Sequence, residues 1–413
     1  ACSTPPIMPD SYRILFTMCG TYNIGIGGDF TSITGLGGFF EAVNISALTC
    51  NLTVNILNDL DETGDFELNQ WYEEGAGGYS ITIQPNTGGL IRFSNAQRVI
   101  IDGGTGKYLL FRNAVDPGMG GAGATFQYSG SCDNFEINNC SIEGNPNWDF
   151  TGVIRIMGEM LGTFSITNNN IGNTTGGFIG APVNCIQGGA MHVDSLRILG
   201  NNIYNFKTKG ILIDNMPGNS RVAYNSFYYN LAEASTNYQT ALYMAGGTTP
   251  VIHHNYIGGQ AALCAGGPFI HQGFSSFTGI DLNLSSRNTK NSQKASAMPV
   301  TKVYANTIQN ISIQNDPTYS FEFFTGIRVS GGKAEIGKNG GNLIGSLTTA
   351  NSIQINGTGE SFGLHVSSFW DKSVIENNSI CNITLTGSDG PAQLTGIYTT
   401  SADVSRNKIM KLG

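Results

Sequence analysis

Short apolar segments recur along the chain, and many of them carry a polar or aromatic residue between two apolar ones. The pattern is a small residue followed by apolar-x-apolar, as in Gly326-Ile-Arg-Val. Because side chains alternate across a strand, the central residue faces outward and its two neighbours face the interior. Aligning the segments gives an outward row that consists of Arg155, His192, Leu212, Tyr243, Asp281, Arg328, His365 and Tyr398.

This row combines aromatic rings, cations and carboxylates, which is the mixture that a carbohydrate site needs. Sugar rings pack on aromatic faces, while their hydroxyl groups need fixed donors and acceptors. The sequence therefore predicts ligand binding along the row. The alternative is an ordinary exposed sheet face, which also mixes residue types.

Two carboxylates beside the row are the best candidates for acid/base chemistry. Asp194 and Asp214 follow the apolar segments of neighbouring units, so we expect them to lie close enough to share a proton or a cation. His192 lies beside them and is a candidate general acid or base.

A second motif, apolar-x-x-Asn-x-apolar, marks the elements that position these residues. Its Asn positions are 169, 201, 225, 255, 306, 378 and 407, and Cys140 occupies the same position in a variant copy. Ile336–Gly345 is a distorted copy around Asn339. If the copies stack about 4.8 Å apart, each amide can bond to the units above and below it. The sequence therefore predicts a ladder of Asn169, Asn201, Asn225, Asn255, Asn306, Asn378 and Asn407.

Two short strands per unit, repeated every few tens of residues, are typical of a solenoid. The segments between the strands lack the apolar periodicity of helices, which excludes helical repeats. The strands are also too short for a sandwich. The fold that remains is an all-β parallel β-helix.

The Asn-turn repeat resembles the right-handed parallel β-helix of the pectate-lyase-like superfamily. The N-terminal third, with Cys19–Thr34, Leu52–Leu57 and Arg98–Gly103, is similar to the opening of large secreted cell-surface β-helix proteins of Bacteroidetes-type bacteria. The resemblance implies a right-handed solenoid. Pectin-cleaving relatives carry a Gly-His-Gly turn or paired Asp residues, and this chain has neither. The resemblance therefore argues against catalysis.

The N-terminal region is predicted to close one end of the solenoid. Gly35–Ala47 carries Phe39, Phe40 and Val43 at helical spacing, which predicts a short capping helix. We assign residues 1–50 to a lead-in and cap, and residues 51–413 to one β-helix domain. The last repeat copy has no polar cap after it, so we expect the native chain to continue beyond Gly413.

Composition restricts the partners and the compartment. The net charge of −8 over 413 residues disfavours nucleic acid as a partner. No apolar run is long enough to span a membrane. Eight cysteines without a Cys-x-x-Cys pair argue against zinc, and Cys19–Cys50 or Cys132–Cys140 are candidate disulfides. We expect Cys185, Cys264 and Cys381 to be small buried side chains, and the setting to be oxidising and extracellular.

An acidic turn resembles the start of a calcium-binding loop. Asp59, Asp61, Thr63 and Asp65 alternate as Ca²⁺ ligands do, but Gln70 stands where such loops need a bidentate Glu. The alternative is a solvated acidic turn, so we expect no cofactor and keep Ca²⁺ as the one candidate.

The long segment between the copies at Asn255 and Asn306 includes the loop Ser285–Pro299. This loop carries Arg287, Lys290 and Lys294 and no acidic residue. Long loops on one face of a repeat often carry function, although a mobile insertion is equally compatible.

We predict a non-catalytic, secreted or cell-surface β-helix that acts as an adhesin or stalk. Its expected partners are an extracellular glycan or another surface protein, together with further domains of the same polypeptide. A polysaccharide lyase or glycoside hydrolase is the first alternative. A self-assembling filament or surface-layer subunit is the second, since exposed strand edges can pair with another chain.

Overall fold

The computed structural model describes residues 16–413 except 59, 85–90, 114–123, 145–151, 174–179, 193, 215–218, 247–248, 274, 285–299, 316–321, 358, 369–371 and 387–391. The Ser285–Pro299 loop and Asp59 lie outside the described residues. Among the described residues, no helix has the length and hydropathy that a membrane-spanning segment needs.

The named elements of the described residues are the α-helix α1 Phe39–Asn44, the 3₁₀ turn Ala262–Cys264 and a long series of strands. The strands are β1 Phe16–Ile24, β2 Ser46–Ile56, β3 Tyr72–Glu73, β4 Ile81–Gln84, β5 Ile91–Ser94, β6 Val99–Asp102, β7 Leu109–Arg112, β8 Phe126–Ser129, β9 Cys132–Asn138, β10 Cys140–Glu143, β11 Gly152–Thr167, β12 Asn170–Gly172, β13 Asn184–His192, β14 Ser195–Leu199, β15 Asn202–Tyr204, β16 Lys209–Ile213, β17 Arg221–Ala223 and β18 Ser226–Tyr228. They continue with β19 Gln239–Ala245, β20 Val251–His253, β21 Tyr256–Ile257, β22 Phe269–Gly273, β23 Phe277–Leu284, β24 Thr301–Tyr304, β25 Thr307–Ile308, β26 Ile311–Asn315, β27 Phe324–Gly331, β28 Ala334–Ile336, β29 Leu343–Gly345, β30 Ile353–Asn356, β31 Glu360–Ser367, β32 Ser373–Glu376, β33 Ser379–Leu385, β34 Gln393–Thr399, β35 Ala402–Ser405 and β36 Lys408–Leu412.

These strands stack into three parallel sheets, which we name A, B and C. From β5 to β36 the chain visits them in the order B, A, C, and one such passage is a coil. In one coil, β16 lies in sheet B, β17 in sheet A and β18 in sheet C. The long strand β11 contributes to both B and A. The prediction of a parallel β-helix is confirmed.

The interior of the solenoid is filled by columns of apolar side chains, and each strand of a sheet contributes one residue to a given column. In sheet A this column consists of Ile83, Ile101, Ile137, Ile166, Ile198, Val222, Ile252, Val303, Ile336 and Ile375, and all of them are fully buried. The outward residues alternate with them, as the pleat requires. Each coil therefore buries its apolar side only by stacking on its neighbours.

The first position of the apolar segments holds a small residue for a steric reason. A Cβ atom on Gly326 would lie 2.6 Å from the carbonyl oxygen of Gly363 and 2.9 Å from Cδ1 of Ile344. Gly279 and Gly363 meet the same kind of neighbours in the coils before and after it. Sheet B therefore approaches the side chains of sheet C so closely that this position accepts only a very small residue.

The recurrent Asn residues lie at the corner between sheets A and C and are joined by hydrogen bonds from coil to coil. The Asn225 Oδ1 atom accepts from the backbone N and from Nδ2 of Asn201, both at 3.0 Å. The Asn225 Nδ2 group donates to the Ile198 carbonyl at 2.9 Å and to Asn255 Oδ1 at 3.0 Å. The same pattern joins Asn169, Asn201, Asn225, Asn255, Asn306, Asn342, Asn378 and Asn407.

Asn342, rather than Asn339, continues the ladder in the distorted copy. Its Oδ1 atom accepts from the backbone N of Asn306 at 3.1 Å, and its Nδ2 group donates to Asn378 Oδ1 at 2.8 Å. The sequence alignment around Asn339 is wrong because the turn holds three extra residues before the ladder position.

The residue before each ladder position adopts the left-handed conformation at most corners. Asn168, Gly200, Tyr224, His254, Ala305, Asn377 and Arg406 all have φ between 53° and 68°. The ladder position therefore needs Asn because its amide accepts from one neighbouring coil and donates to the other. The preceding residue makes the sharp turn. Cys140 takes the first ladder position, where its backbone N donates to Asn169 Oδ1 at 2.8 Å.

The N-terminal end is closed by α1, whose Phe39, Phe40 and Val43 side chains are fully buried in the core. Strand β1 already pairs in parallel with β2, and the disulfide Cys19–Cys50 joins these two strands. Cys132 and Cys140 are free and buried, so the second candidate disulfide is wrong. Cys185, Cys264 and Cys381 are buried free thiols.

Candidate functional site

The outward face of sheet B carries one continuous row of side chains, which we name the B-face row. Register pairs place in line Arg92, Gln127, Arg155, Gln187, Leu212, Tyr243, Asp281, Arg328, His365 and Tyr398. Neighbouring members lie one strand spacing apart, about 4.8 Å. From Tyr243 to Tyr398 the row therefore runs about 19 Å along the solenoid axis.

His192 was aligned one segment too late and does not belong to this row. Gln187 lies beside Arg155 and Leu212, and Ile186 takes the buried position before it. His192 pairs instead with Glu159 at the far end of β13. The alignment is wrong because Ala190-Met-His-Val matches the small-apolar-x-apolar pattern, whereas the segment in register, Cys185-Ile-Gln-Gly, ends on glycine.

Asp194 and Asp214 occupy different positions of the coil. Asp194 lies in the turn between β13 and β14, where its Oδ2 atom accepts from the backbone N of Gly162 at 3.1 Å. Asp214 directly follows β16, and its backbone N donates to the Gly188 carbonyl at 2.8 Å. The expected pair of carboxylates on neighbouring coils is therefore not in register.

A group of charged residues in the second half of the row is held together by Arg328. Its Nη1 atom lies 3.7 Å from Asp281 Oδ2, and its Nη2 group donates to Glu322 Oε1. The second Glu322 oxygen lies 3.9 Å from His365 Nδ1, and Thr325 Oγ1 donates to the first. One guanidinium therefore bridges two carboxylates, which fixes its position and theirs.

Burial changes the protonation of two members of this group. Burial raises the pKa of Asp281, while Arg328 opposes the rise and Glu322 adds to it. Burial also lowers the pKa of His365, and the carboxylate of Glu322 partly offsets that effect. His365 is therefore mostly neutral at neutral pH, and its ring offers one donor and one acceptor.

Aromatic rings lie at both ends of the charged group. Lys209 Nζ lies 5.7 Å from the centre of the Tyr243 ring, within cation–π distance. At the other end the His365 ring packs edge-on against Tyr398 at 5.0 Å and lies 4.7 Å from Phe362. Tyr398 is 45% exposed, so part of its ring is open to a ligand.

Sequence reasoning missed Glu322 and Phe362, and it did not place Lys209 against Tyr243. Lys209 and Phe362 lie three residues before row members, on the same strands as Leu212 and His365. Glu322 lies just before β27 and outside the repeat, so no periodic signal marks it. The ion-pair partners of Arg328 therefore become visible only once the coils are stacked.

A carboxylate of the acidic turn accepts hydrogen bonds from another part of the chain. Both oxygens of Glu62 accept hydrogen bonds from residues 32–34, including the Ile33 backbone N at 2.7 Å and Thr34 backbone N at 2.7 Å. Among the described residues, no three His, Cys, Asp or Glu side chains converge as a metal site would require. Calcium at this turn stays a prediction.

No family model and no curated protein matches the chain. Among solved structures, the chain is similar to the Streptococcus pneumoniae surface protein and adhesin PfbA, with 12% sequence identity and a TM-score of 0.39. The similarity covers 94% of this chain and 91% of that chain. Similarity at this level does not indicate function, so the function of the site is inferred from its residues and their geometry. The resemblance to secreted Bacteroidetes-type proteins stays a prediction.

Proposed function

We propose that the chain is a non-catalytic, cell-surface β-helix that binds an extracellular glycan along the B-face row. The observation that carries the proposal is the register of Tyr243, Asp281, Arg328, His365 and Tyr398 on five successive strands. Such a row offers a linear ligand one contact per coil. Contacts that are weak singly add up when they are made in register.

The chemistry of the row supports a sugar as the ligand. Tyr243 and Tyr398 offer aromatic surface at the two ends, and between them lie a carboxylate, a guanidinium and a neutral imidazole. Arg328 is fixed by Glu322 before any ligand binds, so less conformational entropy is lost on binding. The disulfide Cys19–Cys50 supports an oxidising, extracellular setting.

Tyr243→Ala and Tyr398→Ala are expected to weaken glycan binding by about 10-fold each, the loss of roughly one aromatic contact. A glycan array identifies the ligand, and titration calorimetry then gives the dissociation constants. Tyr238→Ala is the matched control because Tyr238 is 64% exposed and lies outside the row. Unchanged affinity in both row variants, or equal loss in the control, would place the ligand elsewhere.

A second candidate function is glycan cleavage, and one observation favours it. Asp281 and Glu322 are two carboxylates held by one guanidinium, and burial raises the pKa of Asp281 as it does in general acids. We nevertheless expect no new reducing or unsaturated ends from acidic or neutral polysaccharides, with or without Ca²⁺. Cleavage that Asp281→Asn or Glu322→Gln abolishes would replace the binding function by an enzymatic one.

A further inference from the structure

The outward face of sheet A carries three cations in line, which we name the A-face cations. Arg197 and Arg221 lie side by side on β14 and β17, and Lys302 follows two strands further on, beyond Val251. At about 4.8 Å per strand, the three span roughly 14 Å along the axis. Each of the three cations directly precedes the first apolar residue of the Asn motif, as Arg197 precedes Ile198.

The A-face cations lack counter-charges within the part of the chain that the structure describes. The ion pairs of the described residues involve other cations, and no carboxylate lies within 4.0 Å of Arg197, Arg221 or Lys302. Glu335, which lies beside Lys302 on the next strand of the row, is paired with Lys338. Like charges directly opposite each other on neighbouring strands destabilise a sheet. In a chain with a net charge of −8, carboxylates for pairing are abundant. An anionic ligand bound along this row would supply the missing counter-charges.

Arg221 is oriented by a histidine that does not neutralise it. The Arg221 Nε group donates to His253 Nε2 at 2.8 Å, so the proton of neutral His253 resides on Nδ1. That Nδ1 group donates to His254 Nδ1 at 2.7 Å. Burial, with Arg221 and His254 adding to it, lowers the pKa of His253 to about 4. At neutral pH the imidazole therefore fixes the guanidinium and leaves its full charge available.

Stacked rings hold this pair of histidines in place. Tyr304 stacks on His253 with ring centres 4.9 Å apart and planes 2° apart, and Tyr224 stacks on His254 at 5.0 Å. Tyr224 and His254 have φ values of 60° and 53°, which bulky residues rarely adopt. Both residues precede ladder positions, where this conformation makes the corner, and the stacked rings support the imidazole behind Arg221.

A groove of about 390 Å³ extends the face on the other side of Arg197. Its walls include Arg98 and Arg197, the hydroxyl groups of Thr163 and Ser165, the side chain of Ile100 and the carboxylate of Glu136. The groove and the A-face cations are continuous because Arg197 belongs to both. A linear ligand that follows the axis would therefore meet cations, hydroxyl groups and apolar surface in turn.

We propose that the outward face of sheet A binds an acidic glycan, whose carboxylate or sulfate groups lie along the axis against Arg197, Arg221 and Lys302. The positive charge of the row selects an anionic ligand. Duplex nucleic acid carries about one negative charge per 1.7 Å of its axis. Three cations in one row neutralise few of these charges, and the rest of this acidic protein repels the others. A glycan with its charges spread along the chain matches a row one residue wide.

The test measures binding to polygalacturonate, dextran sulfate and uncharged dextran by biolayer interferometry at low and high salt. We expect at least one of the acidic polymers to bind, more weakly at high salt, and dextran to bind far less. Arg197→Gln and Arg221→Gln are each expected to weaken binding by about 10-fold. Arg406→Gln is the matched control, since Arg406 lies at the corner directly after β35 of sheet A and is paired with Glu376 at 2.9 Å.

The preference between polygalacturonate and dextran sulfate identifies carboxylate or sulfate as the recognised group. Equal loss in Arg406→Gln, no loss in the two Arg variants, or no binding to either acidic polymer would overturn the proposal. Preferential binding of duplex DNA would overturn it in favour of nucleic acid. Loss of acidic-glycan binding in Tyr243→Ala and not in the two Arg variants would assign that ligand to the B-face row, so the two proposals are tested separately.

His253 is a positioning residue in this proposal, and two variants test that role. His253→Phe keeps a ring for stacking on Tyr304 and removes the acceptor for Arg221, so we expect binding several-fold weaker than wild type. His253→Gln keeps an acceptor and should restore most of the affinity. Equal affinity in both variants, at equal thermal stability, would show that His253 does not position Arg221.

Discussion

Asn225→Ala is expected to lower the free energy of unfolding by about 3 kcal/mol, because buried polar groups lose their partners. Its side chain makes four hydrogen bonds within three successive coils, and the residue is fully buried. The substitution leaves the backbone N of Asn201 and the carbonyl of Ile198 without these partners. Chemical denaturation of the two proteins measures the difference.

Asn202→Ala is the control for this prediction. Asn202 lies one residue after a ladder position, faces outward, and donates from Nδ2 to Asn170 Oδ1 at 2.9 Å. Water can replace that bond, so we expect a loss below about 1 kcal/mol. Equal losses at the two positions would mean that the ladder contributes no more than a surface amide pair.

Acidification from pH 6.5 to pH 4 is expected to remove about 3 kcal/mol of stability through His271 alone. His271 is fully buried, and burial lowers its pKa to about 4 from 6.5, while the Ser275 carbonyl partly opposes the shift. Between these two pH values the unfolded chain binds a proton that the folded chain does not. The stability is therefore present above pH 6.5 and is lost as the pH falls towards 4.

His271→Gln should flatten the dependence of unfolding free energy on pH across this window by about 3 kcal/mol. His365→Gln is the comparison, and its effect should be smaller because His365 is only partly buried. Two hydrogen-bond acceptors beside the His271 ring define the result that would contradict this prediction. Gln239 Oε1 lies 2.8 Å from Nδ1 and the Ser275 carbonyl 3.0 Å from Nε2, so a charged ring would have two acceptors. An unchanged pH dependence would show that these acceptors offset the cost of burial.

The architecture followed from the sequence because each coil repeats the same local requirement. Ile198, Val222 and Ile252 occupy one buried column, and a pattern of apolar residues at fixed distances from Asn predicts that column directly. The corner at Asn342 was misplaced because extra turn residues shift the copy without changing its composition. Register is therefore predictable only where the turn keeps its length.

The candidate site was less predictable, for two physical reasons. Gln187 was missed because Gly188 stands where the pattern needs an apolar residue, so the later segment around His192 matched the pattern better. Glu322 was missed because it contacts Arg328 from outside the repeat. Contacts between coils depend on which residues come to lie side by side, and a pattern along the chain does not contain that information.

The ladder also determines how the molecule would yield to a pulling force. Its bonds run along the solenoid axis, so tension between the two ends loads one coil boundary at a time rather than the whole stack at once. Asn225 and Asn255 are 30 residues apart in sequence. Opening one such boundary would release about 100 Å of extended chain, at 3.3–3.6 Å per residue. A chain built this way would lengthen in steps under load, each step dissipating energy, while the coils still stacked keep their binding faces in register.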